Sequence, residues 1–371
     1  MKLIYVANAR IPTEKAHGIQ IMKMCEAFAG HGVEVELLVP RRLNKIKKDP
    51  FEYYGVKKNF KIKKLPTLDL VWLGKIGFWI QSFSFAKITA LFCFFKKADV
   101  FYGRDEVSLW LLSFLKKNIV WESHRGQYSF LVRRILKRSR KAIVISKGLK
   151  DFYISKGVSG EKIIVAPDGV DLEKFNINIS KEEAKKKVGL LQDKKTIMYV
   201  GHLYDWKGVE NITRASEYLS EEHLIVLVGG TDIDLKKISK KHKGDSNIFV
   251  VGHRPYEEIP LYLKSADILV LPNKKRSDLS EKYTSPMKLF EYMASGVPIV
   301  ASDLPSIREI LSDQNAVLVE PDNPKALAKG IKRVLENEVL PQNLSKQALQ
   351  DVKKYTWEKR AFNILSFIKT K

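Results

Sequence analysis

Short apolar runs alternate with helix-like segments along almost the whole chain, and this alternation limits the possible folds more than any other feature. Seven strand-like runs lie in the first half: Lys2–Ala7, Val33–Val39, Phe60–Leu65, Asp99–Tyr102, Asn118–Trp121, Ala142–Ile145 and Lys162–Ala166. Five helical segments separate them: Ile19–His31, Leu70–Phe95, Val107–Lys116, Tyr128–Ser139 and Lys147–Ser155. Such alternation is typical of parallel sheets covered by helices on both faces. The first half is therefore predicted to be a doubly wound α/β domain.

The same pattern restarts in the second half. Six further runs are expected to be strands: Thr196–Val200, Leu224–Val228, Ile248–Val251, Ile268–Leu271, Val297–Ala301 and Ala316–Val319. After them only helices are expected: Pro324–Asn337, Leu344–Lys354 and Thr356–Lys369. The stretch 167–191 interrupts the rhythm and is interpreted as the domain junction. A chain of 371 residues is long enough for two domains, each with a core of its own. Two similar sheets predict an inter-domain ligand site at the carboxyl ends of their strands.

The charge is strongly positive, with 65 basic against 42 acidic residues and a net charge of +23. Much of the excess lies in two stretches of the first half, 41–64 and 133–150. These predict a positive face towards a polyanion, either nucleic acid or an anionic membrane. The two cysteines match no metal-ligand spacing and fit a reducing compartment.

Residues 76–95 are mostly apolar and approach the length of a membrane span. Gln81 and Lys87 interrupt the run, and basic residues flank it. A buried or interfacial helix is therefore expected in place of a span. Residues 1–9 show no cleavable signal pattern and are expected to form a buried strand.

Three loops that follow predicted strands of the first half carry polar side chains. Gly18 lies at the start of the first helix, where a glycine lets backbone approach a ligand. His124 and Arg125 follow the fifth strand, and a histidine there can exchange a proton near neutral pH. The stretch 104–106, Arg104-Asp105-Glu106, places a cation and two carboxylates at the same rim, or only caps the next helix.

Two stretches of the second half suit a phosphate. Lys207 precedes Gly208 at a helix start, after the first strand of this half. Ser285 and Pro286 are typical of a helix N-terminus, where N–H groups and Lys288 can bind an anion. Glu291, one turn further on, can accept hydrogen bonds from sugar hydroxyls, although a solvated lysine and glutamate on an ordinary helix are equally possible.

These residues resemble family 4 of the retaining glycosyltransferases, which have the GT-B fold. The resemblance rests on three stretches in the right order, Tyr199–Gly208, Pro167-Asp168-Gly169-Val170-Asp171 and above all Ser285–Ala301. It implies two Rossmann-like domains facing each other across a cleft. Residues 1–170 would bind the acceptor and 171–355 the nucleotide-sugar, with a terminal helix, 356–371, packing back on the first domain.

The resemblance also implies roles for individual residues. Glu291 would hold the nucleotide ribose, Lys207 the diphosphate, and His124 would lie near the reacting sugar. The remaining donor-side residues implied are Gly18, His202, Arg254, Pro255, Tyr283, Ser285, Met287 and Lys288. Arg104, Asp105, Glu106 and Arg125 are candidates for the acceptor side.

Two positions depart from the family pattern. Tyr283 stands where a glutamate usually contacts the donor sugar, and Glu281 lies two residues away. His202 stands where an arginine is expected. A protein that binds a nucleotide-sugar without transferring it is therefore the alternative hypothesis. A nucleic-acid binder would explain the charge but not the phosphate-binding loops.

The implied reaction is metal-independent, hexosyltransferase-like sugar transfer with retention of configuration, without a cofactor besides the donor substrate. Lysines would stabilise the charge on the leaving diphosphate. The basic first half would dock on anionic lipid at the inner face of the plasma membrane and meet a lipid-linked acceptor for cell-surface glycan. Five aromatic residues are expected at the lipid interface: Trp72, Phe78, Trp79, Phe83 and Phe85.

Overall fold

The computed structural model describes residues 1–241, 247–275 and 278–370. The chain divides into two compact units. Unit 1 is Met1–Pro167 together with the segment that begins at Trp357, and unit 2 is Asp168–Thr356. These limits lie within a few residues of the sequence-based boundaries. Lys371, the last residue of the expected terminal helix, lies outside the described residues.

Unit 1 is built on a parallel sheet, as the alternation of strands and helices predicts. Its described strands are β1 (Lys2–Val6), β2 (Glu34–Pro40), β3 (Lys61–Leu65), β4 (Val100–Gly103), β5 (Ile119–Ser123), β6 (Lys141–Val144) and β7 (Ile163–Val165). All neighbours pair in parallel, in the order β3-β2-β1-β4-β5-β6-β7. The central strands are buried on both faces because helices cover them.

The helices of the first 167 residues are α1 (Ala16–Gly30), α2 (Pro50–Tyr54), α3 (Gly74–Phe94), α4 (Glu106–Leu115), α5 (Phe130–Arg138) and α6 (Lys147–Ser155). Helix α1 begins three residues before the position expected from the sequence. The reason is local, since the Gly18 N–H already donates to the Lys15 carbonyl at 2.9 Å. Gly18 therefore lies inside the first turn and not in the preceding loop.

Unit 2 has a second parallel sheet. Its described strands are β8 (Lys195–Val200), β9 (His223–Val228), β10 (Ile248–Gly252), β11 (Ile268–Leu271), β12 (Ile299–Ser302) and β13 (Val317–Val319). They pair in the order β10-β9-β8-β11-β12-β13. The predicted architecture, two Rossmann-like α/β units, is confirmed.

The helices of unit 2 are α7 (Leu172–Phe175), α8 (Lys181–Val188), α9 (Val209–Ala215), α10 (Asp232–Lys241), α11 (Ile259–Lys264), α12 (Asp278–Glu281), α13 (Met287–Ser295), α14 (Pro305–Arg308), α15 (Pro324–Leu335) and α16 (Leu340–Asp351). Two of them correct the sequence analysis, because α7 and α8 occupy the stretch interpreted as a junction. Helix α8 forms there because Ser180 and Glu183 make a capping box.

The last helix, α17 (Trp357–Lys369), returns to unit 1 and packs against α1. The ring of His31 bonds to the Glu358 carbonyl at 2.9 Å. The guanidinium of Arg360 reaches the sheet, where its Nε donates to the Pro167 carbonyl at 2.9 Å. The end of the chain thus completes the core of unit 1.

Helix α3 carries an apolar outer surface. Among the described residues, the segment 71–94 is the one helix long and apolar enough to cross a membrane, and 39% of its apolar 18-residue stretch is buried inside the protein. Trp72, Phe78, Trp79 and Phe83 are exposed, with Trp72 the most at 78%. Phe85 is fully buried, so its prediction as an interfacial residue is wrong. It lies on the inner side of the helix and packs into the core.

Candidate functional site

The strand order of unit 2 reverses between β8 and β11, and the loop of Lys207 and the side chain of Lys288 lie at this point. Ligands of doubly wound sheets bind outside the carboxyl ends of the strands where the order reverses. Gly201 follows β8, and Pro272 and Asn273 follow β11. The side chain of Lys288 also reaches this edge, because a Cβ built on Gly201 would lie 2.6 Å from its Nζ.

The loop that carries Lys207 is fixed tightly against the end of β11. Gly208 has a left-handed φ of 73° and lies so close to the Pro272 carbonyl that a Cβ would be 1.7 Å from its oxygen. The Lys274 N–H donates to the Trp206 carbonyl at 3.0 Å. Only glycine fits at position 208, so Gly208 fixes the backbone position of the preceding Lys207.

Lys274 is a positioning residue that the sequence analysis missed. It is 3% exposed, and its Nζ donates to Asp205 at 2.6 Å and lies 3.7 Å from Glu210. It ties the strand end to the loop of Lys207. In the sequence, Lys274 is one of several basic residues that follow Pro272, and this pattern did not predict that its side chain is buried.

Lys207 and Lys288 are two amines that form no ion pair with a carboxylate in the described part of the chain, although the Glu291 charge acts on Lys288. The Lys207 Nζ lies 3.7 Å from the centre of the Trp206 ring, and the Lys288 Nζ lies 3.8 Å from that of Tyr199. The Lys288 Nζ is buried and has no hydrogen-bond partner. Burial lowers the pKa of Lys207 to about 7. Burial, and then repulsion from Lys207, holds the pKa of Lys288 well below its ordinary value. The arrangement suits a bound anion.

The predicted helix start at Ser285 is wrong in detail. Helix α13 begins at Met287 with Pro286 as its N-cap residue, and Ser285 makes no capping bond. The Ser285 hydroxyl instead accepts a hydrogen bond from the Asp168 N–H at 3.2 Å. It thereby holds Asp168 at the start of unit 2, while the first N–H groups of α13 are left for a ligand.

Glu291 is buried, with 7% of its surface exposed, one turn along α13 from Lys288. The Tyr256 hydroxyl donates to its Oε1 at 2.9 Å. Burial raises the pKa of Glu291 to about 7, against the opposing effects of Tyr256 and Lys288. Arg254 and Pro255 are exposed just before Tyr256, so the predicted base-flanking residues adjoin the hydroxyl that orients the carboxylate.

The two unusual positions are His202 and Tyr283. The His202 ring stacks on Tyr204, with ring centres 4.9 Å apart and an angle of 11° between planes. The Tyr199 hydroxyl donates to the His202 carbonyl at 2.7 Å. Tyr283 is half-buried after α12, and its N–H donates to the Asp278 carbonyl at 3.1 Å. His202 thus shares the loop of Lys207, whereas Tyr283 lies on a different segment.

Glu122, at the end of β5, is the centre of a polar network in unit 1 that the sequence analysis did not single out. Its side chain is fully buried. It pairs with Arg360 of α17 at 3.1 Å, accepts from Gln20 at 2.8 Å, and is hydrogen-bonded to Tyr102 and His124. Burial favours the neutral acid, but Arg360 and His124 outweigh it and hold the pKa of Glu122 well below its ordinary value. The sequence analysis ended the strand at Trp121, whereas β5 extends to Ser123 and buries Glu122.

The ionised Glu122 fixes His124, and a second arm of the network fixes Arg104. The Arg104 Nη1 donates to Gln20 at 3.0 Å. Burial, followed by repulsion from Arg104, lowers the pKa of His17 to about 4, so this imidazole is neutral near pH 7. The network brings together the polar ends of α1, β4 and β5.

The two carboxylates that follow Arg104, Asp105 and Glu106, have different environments. Asp105 accepts from the Ser108 N–H at 2.8 Å and caps α4, which is the alternative left open for it. Burial raises the pKa of Asp105. Burial and the Asp105 charge raise the pKa of Glu106, and the exposed Arg125 partly offsets them.

Gly18 has a packing reason to be glycine. A Cβ there would lie 2.2 Å from the Tyr54 hydroxyl and 2.7 Å from a methyl of Thr13. Tyr54 uses this space to donate to the Thr13 carbonyl at 2.8 Å and to accept from its N–H at 2.6 Å. Within the described residues, no group of three or more His, Cys, Asp or Glu side chains could hold a metal ion.

Comparisons with known proteins identify the family and the fold. A family model described as glycosyltransferase family 4 matches residues 18–174, and one described as glycosyl transferases group 1 matches residues 180–351. The structure of Anabaena Alr3699/HepE in complex with UDP and glucose covers 100% of both chains with a TM-score of 0.80. At 14% identity this likeness shows the fold alone.

Several curated relatives are glycosyltransferases named for polysaccharide biosynthesis. The amylovoran biosynthesis glycosyltransferase AmsK of Erwinia amylovora is 27% identical over 68% of this chain and 59% of its own length. The N,N'-diacetylbacillosaminyl-diphospho-undecaprenol alpha-1,3-N-acetylgalactosaminyltransferase of Campylobacter jejuni is 29% identical over 61% and 59%. The chain spans 43–59% of the length of eight curated relatives that it matches. Together the two family models cover most of the sequence, and the chain belongs to glycosyltransferase family 4, with the Rossmann-like units of the GT-B fold.

Proposed function

We propose that this protein is a retaining glycosyltransferase that moves a sugar from a nucleoside-diphosphate sugar to a lipid-linked or polysaccharide acceptor. The observation that carries the proposal is the pair Lys207 and Lys288. Both lie at the strand-order reversal of unit 2, and neither forms an ion pair with a carboxylate among the described residues. Two neighbouring buried cations destabilise the folded protein unless an anion binds to them. A diphosphate supplies that anion.

The donor is held by unit 2 in this proposal. The N–H groups at the start of α13, beside Ser285 and Met287, and the two lysines bind the diphosphate. Glu291, oriented by Tyr256, accepts hydrogen bonds from the ribose hydroxyls. The exposed Arg254 and Pro255 flank the base, and His202 assists at the diphosphate.

The chemistry is a substitution at the anomeric carbon of the sugar. The bond from this carbon to the diphosphate oxygen breaks, and a bond to the acceptor oxygen forms on the same face. The acceptor proton passes to the leaving phosphate. Lys207 and Lys288 stabilise the negative charge that develops on the diphosphate, which is a task that needs fixed cations and no metal ion or further cofactor.

Unit 1 serves the acceptor in this proposal. His124, held by the ionised Glu122, lies near the reacting sugar, and Gly18, in the first turn of α1, lets the backbone approach the donor. Arg104, Glu106 and Arg125 contact the acceptor, and Asp105 supports them by capping α4.

A membrane-bound acceptor is supported by the surface of unit 1. Helix α3 packs beside α4, and α4 beside α5. These helices and the residues that flank α3 expose large apolar side chains, called here the apolar stripe: Trp72, Ile76, Phe78, Trp79, Phe83, Leu91, Phe94, Phe95, Phe114 and Phe130. Exposed basic residues, among them Lys75, Lys87, Arg133 and Lys137, lie on the same helices. Large exposed apolar patches mark interaction sites, and basic rims favour anionic lipid. We infer peripheral binding at the cytoplasmic face of the plasma membrane, with no nucleic-acid partner.

A transfer assay tests the proposal. The protein is incubated with UDP-, GDP- and ADP-sugars and an undecaprenyl-diphosphate-linked sugar acceptor, and release of nucleoside diphosphate is measured. We expect release that depends on the acceptor, and a product whose anomeric configuration, read by NMR, matches that of the donor. Inversion would contradict the retaining mechanism.

The second candidate, nucleotide-sugar binding without transfer, is favoured by Tyr283 at the position of the expected glutamate. The same assay separates the two. Binding of a nucleotide-sugar without release of nucleoside diphosphate, over a range of lipid-linked and polysaccharide acceptors, would decide for the binding protein.

A further inference from the structure

Two guanidinium groups at the carboxyl ends of the unit 1 strands form no ion pair in the described part of the chain. Arg104 follows β4 and Arg125 follows β5, and these strands are neighbours in the sheet. Arg104 is half-buried, and its Nη1 donates to the Gln20 amide oxygen at 3.0 Å. Arg125 is exposed, and its carbonyl accepts from the Tyr153 hydroxyl at 2.7 Å. Its backbone is held in this way, while its side chain makes no hydrogen bond to the described residues.

The unused donors of these two side chains suit a phosphate. A guanidinium presents five N–H donors in a planar fork that matches the oxygens of a phosphate. Arg104 uses one of them within the described residues, and the bond to Gln20 fixes the direction of the others. One oriented guanidinium and one exposed guanidinium are thus available to an anion that solvent can deliver.

His17 shows that the surroundings of the two arginines are positive. This half-buried imidazole lies in the first turn of α1. Burial lowers its pKa to about 4, and repulsion from Arg104 is the next cause. Lys15 and His124 act in the same direction, and Glu14 in the opposite one. A region that disfavours one more positive charge favours a bound anion.

The start of α3, with part of the apolar stripe, lies at the same end of unit 1. Asn8, which follows β1, accepts from Gln81 of this helix at 2.9 Å and donates to Ser82 at 3.1 Å. The Asn8 side chain also hydrogen-bonds to Asp105, the neighbour of Arg104. The segment just before this contact exposes four large apolar side chains: Trp72, Ile76, Phe78 and Trp79. Cationic and apolar groups are therefore joined by a short chain of contacts.

This combination narrows the ligand. A free phosphate would use the two arginines but not the apolar side chains, and the hydroxyls of a polysaccharide require neither. The scattered head groups of a bilayer suit exposed cations, whereas Arg104 is half-buried and fixed in direction. A lipid diphosphate carries a compact anion and a long apolar chain in one molecule.

We propose that Arg104 and Arg125 bind the diphosphate of a lipid-linked acceptor, whose apolar chain contacts the exposed side chains at the start of α3. This inference rests on the proposed function, because it names the chemical class of the acceptor. It gives unit 1 a phosphate site of its own, besides the cations of unit 2.

The first test measures binding of farnesyl diphosphate, a soluble lipid diphosphate, to the full chain by calorimetry. Arg104→Gln/Arg125→Gln should weaken binding about tenfold or more, because bonds to charged groups are lost. The matched control is Lys117→Gln/Arg140→Gln, which removes the same charge from exposed positions before β5 and β6, at the opposite ends of the strands. This control should bind within about twofold of the wild type. Equal affinities of the two double variants, or no binding by the wild type, would overturn the inference.

The second test separates the lipid from other anions. Isopentenyl diphosphate, with a much shorter chain, should bind the wild type about tenfold more weakly than farnesyl diphosphate, and Ile76→Ser/Trp79→Ser should reduce this preference. Equal affinity for both would indicate a plain phosphate site and overturn the inference. Loss of flotation on phosphatidylglycerol vesicles by Arg104→Gln/Arg125→Gln, with farnesyl diphosphate binding unchanged, would also overturn it.

Nucleotide binding separates this inference from the proposed function. Arg104→Gln/Arg125→Gln should bind the nucleoside diphosphate of the donor within about twofold of the wild type. An equal loss for nucleoside diphosphate and farnesyl diphosphate would place both arginines in the donor site and overturn the inference alone. Binding of farnesyl diphosphate as expected, without binding of any nucleotide-sugar, would contradict the proposed function and support the lipid-diphosphate site.

Discussion

Three ionisable side chains at the edge of the unit 2 sheet are held in a state that disfavours their charges. The pKa of Lys207 is lowered to about 7, and that of Glu291 is raised to about 7. The pKa of Lys288 lies well below its ordinary value, because repulsion from Lys207 adds to the effect of burial. Burial is the largest cause in each case. A diphosphate and ribose would reverse these effects, because they bring an anion to the lysines and hydroxyl donors to the carboxylate.

Glu291→Gln should change stability in a pH-dependent way. The folded-state pKa of about 7 lies above the ordinary value of 4.5, so ionisation costs stability as pH rises from 4.5 to 7. Glutamine removes that cost. We expect the unliganded variant to unfold at a higher temperature than the wild type at pH 8, by roughly 5 °C for a penalty of about 2–3 kcal/mol. The difference should disappear near pH 4.5.

The control is Glu336→Gln, at an exposed position after α15. This variant should follow the wild type at every pH. A difference between Glu291→Gln and the wild type that is constant from pH 4.5 to pH 8 would show that the carboxylate is not destabilised by burial.

Lys207→Met should weaken nucleotide-sugar binding most at low pH. The wild-type amine is protonated below its pKa of about 7, so its advantage over methionine is complete near pH 6. We expect an advantage of about tenfold or more there, since bonds to charged groups contribute about 1.5–3 kcal/mol. It should decline as pH rises towards 9, measured by calorimetry. Lys195→Met, at an exposed position at the start of β8, should bind as the wild type does. An advantage that does not change with pH would contradict the pKa.

At the scale of elements, the left-handed turn at Gly208 positions the phosphate-binding lysine. Gly208→Ala adds strain at φ 73° and a Cβ 1.7 Å from the Pro272 oxygen. Gly189 ends α8 with φ 72°, but a Cβ there meets nothing within 4 Å. We expect Gly189→Ala to cost about 1 kcal/mol and Gly208→Ala at least about 2 kcal/mol more, with weaker nucleotide binding. Thermal unfolding and calorimetry measure both. Equal effects would mean that the loop does not press against β11.

The positions of the elements could be predicted from the sequence far better than the environment of single side chains. Buried parallel strands form short, continuous apolar runs between helices, so each run could be located from the sequence. Lys207, Lys288 and Glu291 were predicted because they sit beside glycines and a helix start. Phe85 was placed on the wrong face because α3 is apolar nearly all round, which leaves its inner side undefined.

Residues whose role depends on contacts distant in sequence could not be predicted. Glu122 is ionised because Arg360, 238 positions later, folds onto it. Lys274 acquires its role only when the end of β11 lies beside the loop that follows β8. Ser285 has the composition of a helix cap, but a tertiary bond to Asp168 competes for its hydroxyl.

At the scale of the whole molecule, the net charge of +23 and the apolar stripe predict membrane binding with an electrostatic and a hydrophobic contribution. The protein should float with vesicles that contain phosphatidylglycerol and much less with neutral vesicles, and salt should weaken binding. Replacing Trp79 and Phe83 with serine should reduce binding about tenfold or more, since burying each ring contributes about 1.5–3 kcal/mol.

The control for membrane binding is Leu191→Ser, because Leu191 is 53% exposed in unit 2 and outside the stripe. This variant should float as the wild type does. Flotation that depends on salt but not on Trp79 and Phe83 would show that charge alone binds the membrane. Absence of flotation at low salt would contradict membrane binding.

The central claim is that the cations at the edge of the unit 2 sheet bind the diphosphate of a nucleotide-sugar. Calorimetric titration of the full chain with UDP-, GDP- and ADP-sugars at pH 6.5 tests it most directly, with the Lys207→Met/Lys288→Met double variant beside the wild type. The account predicts that one class of nucleotide-sugar binds the wild type and that the double variant weakens this binding about a hundredfold. Equal affinity of the two proteins, or binding of no nucleotide-sugar by the wild type, would contradict it.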